Sequence, residues 1–444
     1  MVNLHCVVPI FKAKKASSTF IYSRATSVKK KLIGIITKNK EKQDRLLDVY
    51  LPILFEYLFS IAQSIFALSF NLAGLIAGYI LASSFTIINN YRWALVLFPG
   101  LLSIRGAIGG LYAGRISTGL HLGTIKSKFK DNTDEFYRLN SAIITLTYMS
   151  AIILGLLTSF GGIYFFKLKL TEVFYIFIIV LSVMGLSLLV ISPSTIFISI
   201  QAFLKGLDPD MIVYPAISTI ADIMISFSYI TILTLFNSHR FMTVITLSII
   251  SIIFTITFIK QFITNRDNHE YIETIREFTL TLLCVSFIVN FTGNTLKNIS
   301  SKIGSRKEIY IIYPALIDTV GDVGSIIGST ATTKISLGLI GSSIIDIKRH
   351  LKEISFGWIG SIIMFIAYST LSSLIYGFKE FYPLVYTVLL TNLIVIPIIS
   401  FISFIIGIIT FKRGLNPDNF IIPIETSLAD SITTYILYFI ISLN

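Results

Sequence analysis

Apolar stretches long enough to cross a lipid bilayer follow one another along most of this chain. From residue 50 to the C-terminus, predominantly apolar runs of about 20 or more residues alternate with short charged segments. Lipid cannot satisfy free backbone groups, so each run is expected to form a helix. The pattern predicts about eleven spanning helices, at residues 52–86, 93–121, 139–165, 172–204, 212–236, 241–263, 276–296, 308–340, 354–377, 382–411 and 419–442.

The second half of the chain repeats features of the first half. The segment Gly206–Asp210, Gly-Leu-Asp-Pro-Asp, returns as Gly414–Asp418, Gly-Leu-Asn-Pro-Asp. Asp222 returns as Asp430 at the same offset. Further pairs are found upstream: Pro99 with Pro314, Gly106 with Gly321 and Gly109 with Gly324, which share one offset, and Asn71 with Asn290.

These repeats predict the architecture. Five spans carry the chain across the membrane, so a second unit in the same orientation needs one extra crossing. We therefore predict an all-α polytopic membrane protein with two parallel five-helix repeats, at residues 50–237 and 266–444, joined by a linker transmembrane helix at 238–265. Parallel repeats place a transport site between the two units. A single chain would then act as a monomer in the form of a pseudo-dimer.

Composition and charge agree with a membrane protein and argue against a nucleic-acid partner. Charged residues make up 14% of the chain, whereas soluble domains carry about 25%. The net charge of +12 is concentrated in residues 1–49 and in loops beside the spans, where basic residues orient helices and contact anionic lipid. We expect a basic cytoplasmic tail at residues 1–49, an external C-terminus, and a multi-pass protein of the plasma membrane whose partner is the lipid bilayer.

Two acidic residues inside predicted spans are candidates for an ion site. Asp222 and Asp430 lie near the middle of their spans, where acids are costly and usually functional. Each shares a helix face with a proline and two hydroxyl groups, namely Pro215, Ser218 and Thr219 with Asp222, and Pro423, Thr426 and Ser427 with Asp430. Two such faces would form an oxygen-rich site of the kind that Mg²⁺ prefers. The alternative is that each Asp pairs structurally inside the bundle.

A second acidic pair, Asp318 and Asp322, lies on one face of a predicted helix. The corresponding residues of the first repeat are Ser103 and Ala107, so this feature is not symmetric. The two acids either line the pore or neutralise Arg105, which lies in the equivalent helix. We include Arg105 among the supporting residues, together with Asn290 from the first helix of the second repeat.

Two segments resemble a known transporter family. The stretch from Asp208 to Asp222 resembles the last-helix motif of MgtE-type magnesium transporters, and the stretch from Phe98 to Thr118 is similar to the signature of their eukaryotic solute-carrier relatives, which fuse two units through an extra helix. The resemblance implies that Asp222, and Asp430 through the repeat, binds the permeating ion. It also implies divalent-cation transport, with Mg²⁺ first and Mn²⁺ or Co²⁺ as other ions.

The family has an Asn directly after the glycine that corresponds to Gly106. This chain has Ala107 at that position and Asp322 at the same position of the second repeat. This departure weakens the contribution expected from the first repeat and gives more weight to Asp322.

Two other functions remain open. One is a carrier for another cation or an organic solute. The other is an intramembrane Mg²⁺-dependent prenyl transferase that would use Asp318 and Asp322, but this chemistry needs two facing Asp-rich clusters, and Ser103 and Ala107 do not supply the second. The five histidines lack metal-ligand spacing. We therefore expect a transporter rather than an enzyme, with no tightly bound cofactor.

Overall fold

A computed structural model of the protein describes residue 55 and residues 57–205, 209–303, 307–413 and 417–443. The tail predicted at residues 1–49 lies outside this range. Within it, the chain forms helices, short turns and no strands, which confirms the all-α prediction. Eleven long helices make up the described part: α1 Tyr57–Ser83, α2 Ala94–Leu122, α3 Asp134–Phe166, α4 Leu170–Leu204, α5 Pro209–Ser238, α6 Arg240–Asn265, α7 His269–Ile303, α8 Lys307–Ser336, α9 Leu351–Tyr376, α10 Phe381–Arg413 and α11 Pro417–Leu443.

Short elements interrupt or join some of these helices. A 3₁₀ turn at Ser69–Ala73 breaks the regular winding of α1. A short helix, Phe85–Asn89, follows α1, and 3₁₀ turns at Ile344–His350 and Phe378–Glu380 precede α9 and α10. The turn inside α1 has a functional consequence, because it includes the fully buried Asn71.

Local sequence explains where the helices begin and end. The α2 helix ends at Gly123, which has a φ of +74° that glycine adopts without steric cost. The α3 helix begins after Thr133, whose side chain accepts a hydrogen bond from the backbone N–H of Phe136. Asp134 and Glu135 lie in the first turn of α3, where their negative charges interact favourably with the positive end of the helix dipole. These signals fix the ends of helices whose lengths the apolar runs had predicted.

Ten helices in the described residues are long and apolar enough to cross a membrane, and they confirm a polytopic membrane protein. The helix outside this set is α7, which forms around the span predicted at 276–296. Its first turns carry charged residues, and Asn290 and Asn294 lie further along it. The α7 helix packs against α2, α3 and α11, so other helices cover much of a segment that is polar for a lipid-facing span.

The first helix of each repeat packs against the second helix of the other repeat. Thus α1 contacts α8, and α7 contacts α2. Glycine makes both contacts close, because a Cβ atom on Gly78 would collide with the backbone carbonyl of Ile311, and one on Gly293 with that of Val96. Gly78 and Gly293 are equivalent positions of the two repeats, and so are Val96 and Ile311, because both pairs have the same offset along the sequence. The two contacts are therefore related by a pseudo-twofold axis between the repeats.

This packing register differs from the sequence pairing of Asn71 with Asn290. Asn290 is further along the sequence from Asn71 than Gly293 is from Gly78, although both pairs lie in the same two helices. The difference is about one helical turn. Asn71 and Asn290 therefore do not occupy equivalent places in the fold, which matters for the site described below.

The α6 helix, which the sequence predicts as the linker between the repeats, packs mainly on α4 and α3. One narrow side of α6 is buried, including Leu247 and Ser251, and Ser251 Oγ donates a hydrogen bond to the Ile178 carbonyl at 3.2 Å. The opposite side exposes large apolar residues such as Ile249 and Ile253. Such a face is expected for a helix in contact with lipid.

Candidate cation site

A cavity of about 30 Å³ lies between the two repeats and is lined by α2, α5, α8 and α11. All four acidic residues singled out in the sequence line it: Asp222, Asp318, Asp322 and Asp430. A space of about 10–15 Å³ on this measure accommodates one water molecule. The cavity is therefore large enough for a small ion or a few waters beside the carboxyl groups.

The lining residues come in pairs that the repeat relates. The pairs on α2 and α8 have the same offset as Pro99 and Pro314, and those on α5 and α11 have the offset at which Gly206–Asp210 returns. They include Ser103 with Asp318, Gly106 with Gly321, Ser218 with Thr426, and Asp222 with Asp430. The cavity thus lies on the pseudo-twofold axis. Among the described residues, apart from its chain neighbours and the backbone of its own helix, no atom lies within 4 Å of a Cβ atom placed on Gly106. This glycine therefore contributes to the open space.

The hydroxyl groups predicted beside the two aspartates divide into two sets. Ser218 and Thr426 line the cavity. Thr219 and Ser427 do not line it. Thr219 donates a hydrogen bond to the Pro215 carbonyl at 3.0 Å, and Ser427 donates one to the Pro423 carbonyl at 2.8 Å. These two hydroxyls satisfy carbonyls in their own helices, and the two prolines are not among the lining residues.

The two central aspartates are buried, at 3% exposed for Asp222 and 6% for Asp430. Asp430 accepts a hydrogen bond from Ser103 Oγ. Asp222 instead has the carboxyl group of Asp318 as its neighbour in the cavity. Each half of the site therefore joins a side chain from the second helix of one repeat to an aspartate from the fifth helix of the other.

Asp322 has an amide partner that the sequence interpretation missed. Asn71 donates from Nδ2 to Asp322 Oδ2 at 2.7 Å and to Thr319 Oγ1 at 3.3 Å. Thr319 in turn shares a hydrogen bond of 2.7 Å with the Tyr368 hydroxyl. The signal available in the sequence was an asparagine in the middle of an apolar run, but only the packing of α1 against α8 identifies its partner.

Asn290, predicted as a supporting residue, lies apart from this cavity. Its Oδ1 accepts a hydrogen bond from Thr158 Oγ1 at 3.1 Å. With Trp93 and Asn294, it lines a separate space of about 10 Å³. The structure therefore gives Asn71, and not Asn290, the place beside the acidic residues.

Of the two alternatives for Asp318 and Asp322, neutralisation of Arg105 is wrong, because both acids line the cavity and Arg105 has another partner. Arg105 is 1% exposed, and its Nη1 donates to Thr147 Oγ1 of α3 at 3.3 Å. Successive residues of an α-helix are about 100° apart around its axis. When Ser103 and Gly106 face the cavity, Arg105 therefore points away from it.

No group of three or more His, Cys, Asp or Glu side chains in the described residues is arranged to hold a metal ion directly. The four aspartates thus share a cavity without forming a compact ligand cage. This arrangement suits an ion that keeps part of its water shell, as Mg²⁺ does in most protein sites.

Comparisons with known proteins match both repeats. The family model of MgtE, described as a divalent cation transporter, matches residues 98–232 and 313–440. The two segments begin and end at equivalent positions of the two repeats. Solute carrier family 41 member 3 of Rattus norvegicus is 23% identical over 366 residues, which cover 77% of this chain and 78% of the relative. No solved structure matches the chain. Because the family model covers more than half of the sequence, the chain belongs to the MgtE family of divalent cation transporters.

Proposed function

We propose that this divalent cation transporter carries Mg²⁺ across the membrane through the cavity between its two repeats. The observation that supports the proposal is the convergence of four aspartates from α5, α8 and α11 on one small space at the pseudo-twofold axis. Acidic residues at this depth are costly unless an ion or a partner compensates them. We assign Asp222 and Asp430 to the central site and Asp318 and Asp322 to its wall.

Small size and oxygen chemistry favour Mg²⁺. The cavity of about 30 Å³ offers carboxylate and hydroxyl oxygens, and Mg²⁺ binds one or two carboxylates while keeping several waters. Mn²⁺ and Co²⁺ are further ions of the same charge that the site would admit. An organic solute needs a larger space, since ligand pockets for drug-sized molecules measure about 300–1,000 Å³.

The membrane potential suffices as a driving force for uptake. An inward-negative potential of about 100 mV contributes roughly 2.3 kcal/mol per elementary charge, hence about 4.6 kcal/mol for a divalent ion. Uptake then needs no coupling ion. We also propose that the protein is a transporter rather than an enzyme and that it has no tightly bound cofactor. We further propose that it acts as a monomer in the plasma membrane, with a cytoplasmic N-terminus and an external C-terminus.

Flux measurements in liposomes test this function. Purified protein is reconstituted with an internal Mg²⁺-sensitive dye, and the flux per protein molecule is compared among variants. We expect Asp222→Asn and Asp430→Asn each to cut Mg²⁺ flux sharply. Asp267→Asn is the matched control, because the Asp267 side chain is 94% exposed in a loop outside the cavity. Wild-type flux in a chain carrying both cavity substitutions would refute the site assignment.

A further inference from the structure

Asp222 and Asp430 have equivalent places in the repeats but unequal surroundings. Asp430 accepts a hydrogen bond from the hydroxyl group of Ser103. Asp318 occupies the position equivalent to Ser103, and it presents a second carboxyl group to Asp222. A hydroxyl can donate a hydrogen bond to a carboxylate, whereas an ionised carboxylate only accepts. The two halves of the cavity therefore differ in charge and in hydrogen bonding.

Among the residues that line the cavity, the buried oxygens without a donor lie in the Asp222 half. Asp222 Oδ2 and Asp318 Oδ2 are both buried, and neither has a hydrogen-bond partner in the described part of the chain. Both residues line the cavity. The cationic group on the neighbouring helix, Arg105, is directed to Thr147 instead. None of the described residues that line the cavity is a cation. A divalent ion carries the charge that would neutralise these two acidic side chains.

We propose that the transported cation binds off the pseudo-twofold axis, between Asp222 and Asp318, and that Asp318 is a specificity-determining ligand. Asp430 is held by Ser103 and faces the ion across the cavity, through water. This inference rests on the proposed function, because it concerns the same cavity. It adds that the two repeats have unequal roles in holding the ion.

The isosteric variant Asp318→Asn tests the ligand role, and Asp267→Asn, at an exposed loop position outside the cavity, is its matched control. The Mg²⁺ affinity of each purified full-length chain is measured by calorimetric titration. We expect Asp318→Asn to weaken Mg²⁺ binding by about tenfold or more, which corresponds to about 1.4 kcal/mol of lost binding energy. Asp267→Asn should change the affinity by less than about twofold.

Thermal melting separates a ligand from a merely structural residue. Without Mg²⁺, Asp318→Asn should melt at or above the wild-type temperature, because it removes repulsion between two carboxylates. The rise in melting temperature on adding Mg²⁺ should shrink, because a weaker ligand stabilises the folded state less. A structural role predicts the opposite result, a lower melting temperature in the absence of Mg²⁺.

A position swap provides a rescue experiment. The double variant Ser103→Asp with Asp318→Ser moves the acidic pair from Asp222 to Asp430. We expect Asp318→Ser alone to lose Mg²⁺ affinity and the swap to recover it to within about threefold of wild type. In the swapped chain, Asp430→Asn should then weaken Mg²⁺ binding more than Asp222→Asn does.

The outcomes distinguish this inference from the proposed function. If Asp318→Asn keeps wild-type Mg²⁺ affinity while Asp222→Asn loses flux, the off-axis site is refuted and the transport function stands. A swapped chain that melts like wild type but does not regain affinity also refutes the off-axis site. If the wild-type chain neither binds nor transports Mg²⁺, the proposed function itself fails.

Discussion

The buried amide of Asn71 gives a sharp test of how α1 supports the acidic cavity. Asn71 is fully buried in the 3₁₀ turn of α1, and it donates to Asp322 at 2.7 Å and to Thr319 at 3.3 Å. The substitution Asn71→Ala removes both hydrogen bonds and leaves the Asp322 carboxylate without this donor. Because α1 and α8 belong to different repeats, the change also removes a polar link between them.

The structure sets the expected size of the effect. A hydrogen bond to a charged group contributes about 1.5–3 kcal/mol to stability, and a bond between neutral groups about 0.5–1.5 kcal/mol. Asn71→Ala should therefore lower the free energy of unfolding by about 2–4 kcal/mol. It should also raise the KM for Mg²⁺, because Asp322 lines the cavity and loses the group that orients it.

Asn290→Ala is the matched control for Asn71→Ala. Asn290 also lies in a first helix, but its side-chain oxygen accepts a bond from the neutral Thr158. Its loss should cost about 0.5–1.5 kcal/mol and leave the KM for Mg²⁺ unchanged. Thermal melting in detergent and liposome flux measure the two effects. If Asn71→Ala melts and transports like wild type while Asn290→Ala raises the KM, the cross-repeat link is refuted.

Three further changes test the packing, the charge balance and the topology. Gly293→Ala should destabilise the fold by about 1–3 kcal/mol, because the added Cβ atom would collide with the Val96 carbonyl. The control Gly161→Ala should melt like wild type, because a Cβ atom at position 161 enters open space in the described structure. Arg105→Met should melt at or above the wild-type temperature, since an unpaired guanidinium in hydrocarbon costs roughly 2.5–3.5 kcal/mol, and a clear loss of stability would indicate an acidic partner. Ser442→Cys, in a chain without its native cysteines, should react with a membrane-impermeant reagent on intact cells, and reaction only after permeabilisation would reverse the proposed topology.

The helices were predictable because two simple constraints fix them. The hydrocarbon thickness sets the length of an apolar run, so the span predicted at 93–121 becomes Ala94–Leu122. Capping residues then set the ends, as Gly123 does for that helix. The α7 helix was also predicted, as a span at 276–296, and it extends over His269–Ile303. Its packing against other helices, which compensates its asparagines, cannot be read from hydropathy alone.

The site was predictable only in part. The repeat implied that Asp222 and Asp430 meet at a pseudo-twofold axis, and both line one cavity. The partner of Arg105 was not predictable. The position of a residue around its helix identifies a partner only when the arrangement of the neighbouring helices is known. Asn290 was chosen because its motif matches that at Asn71, but the glycine contacts show a different register between these helices. Similarity of a short motif and equivalence in space are separate properties, and for these two helices they differ by about one helical turn.

Fusion of the repeats explains how the cavity can hold unequal acidic groups. In a dimer of identical chains, an acid at one position appears twice across the twofold axis. Full symmetry here would place acids at Ser103 and Ala107 as well, which makes six carboxyl groups around about 30 Å³. Two carboxylates about 6 Å apart repel by about 3 kcal/mol at an effective dielectric constant of about 20. Each added acid would meet several neighbours, and a single divalent ion could not neutralise six of them. A fused chain avoids this repulsion by keeping a hydroxyl and a methyl group in α2 where α8 has two aspartates. In the proposed site, Ser103 in place of a second Asp318 and Ala107 in place of a second Asp322 keep the number of carboxyl groups at four and limit their mutual repulsion.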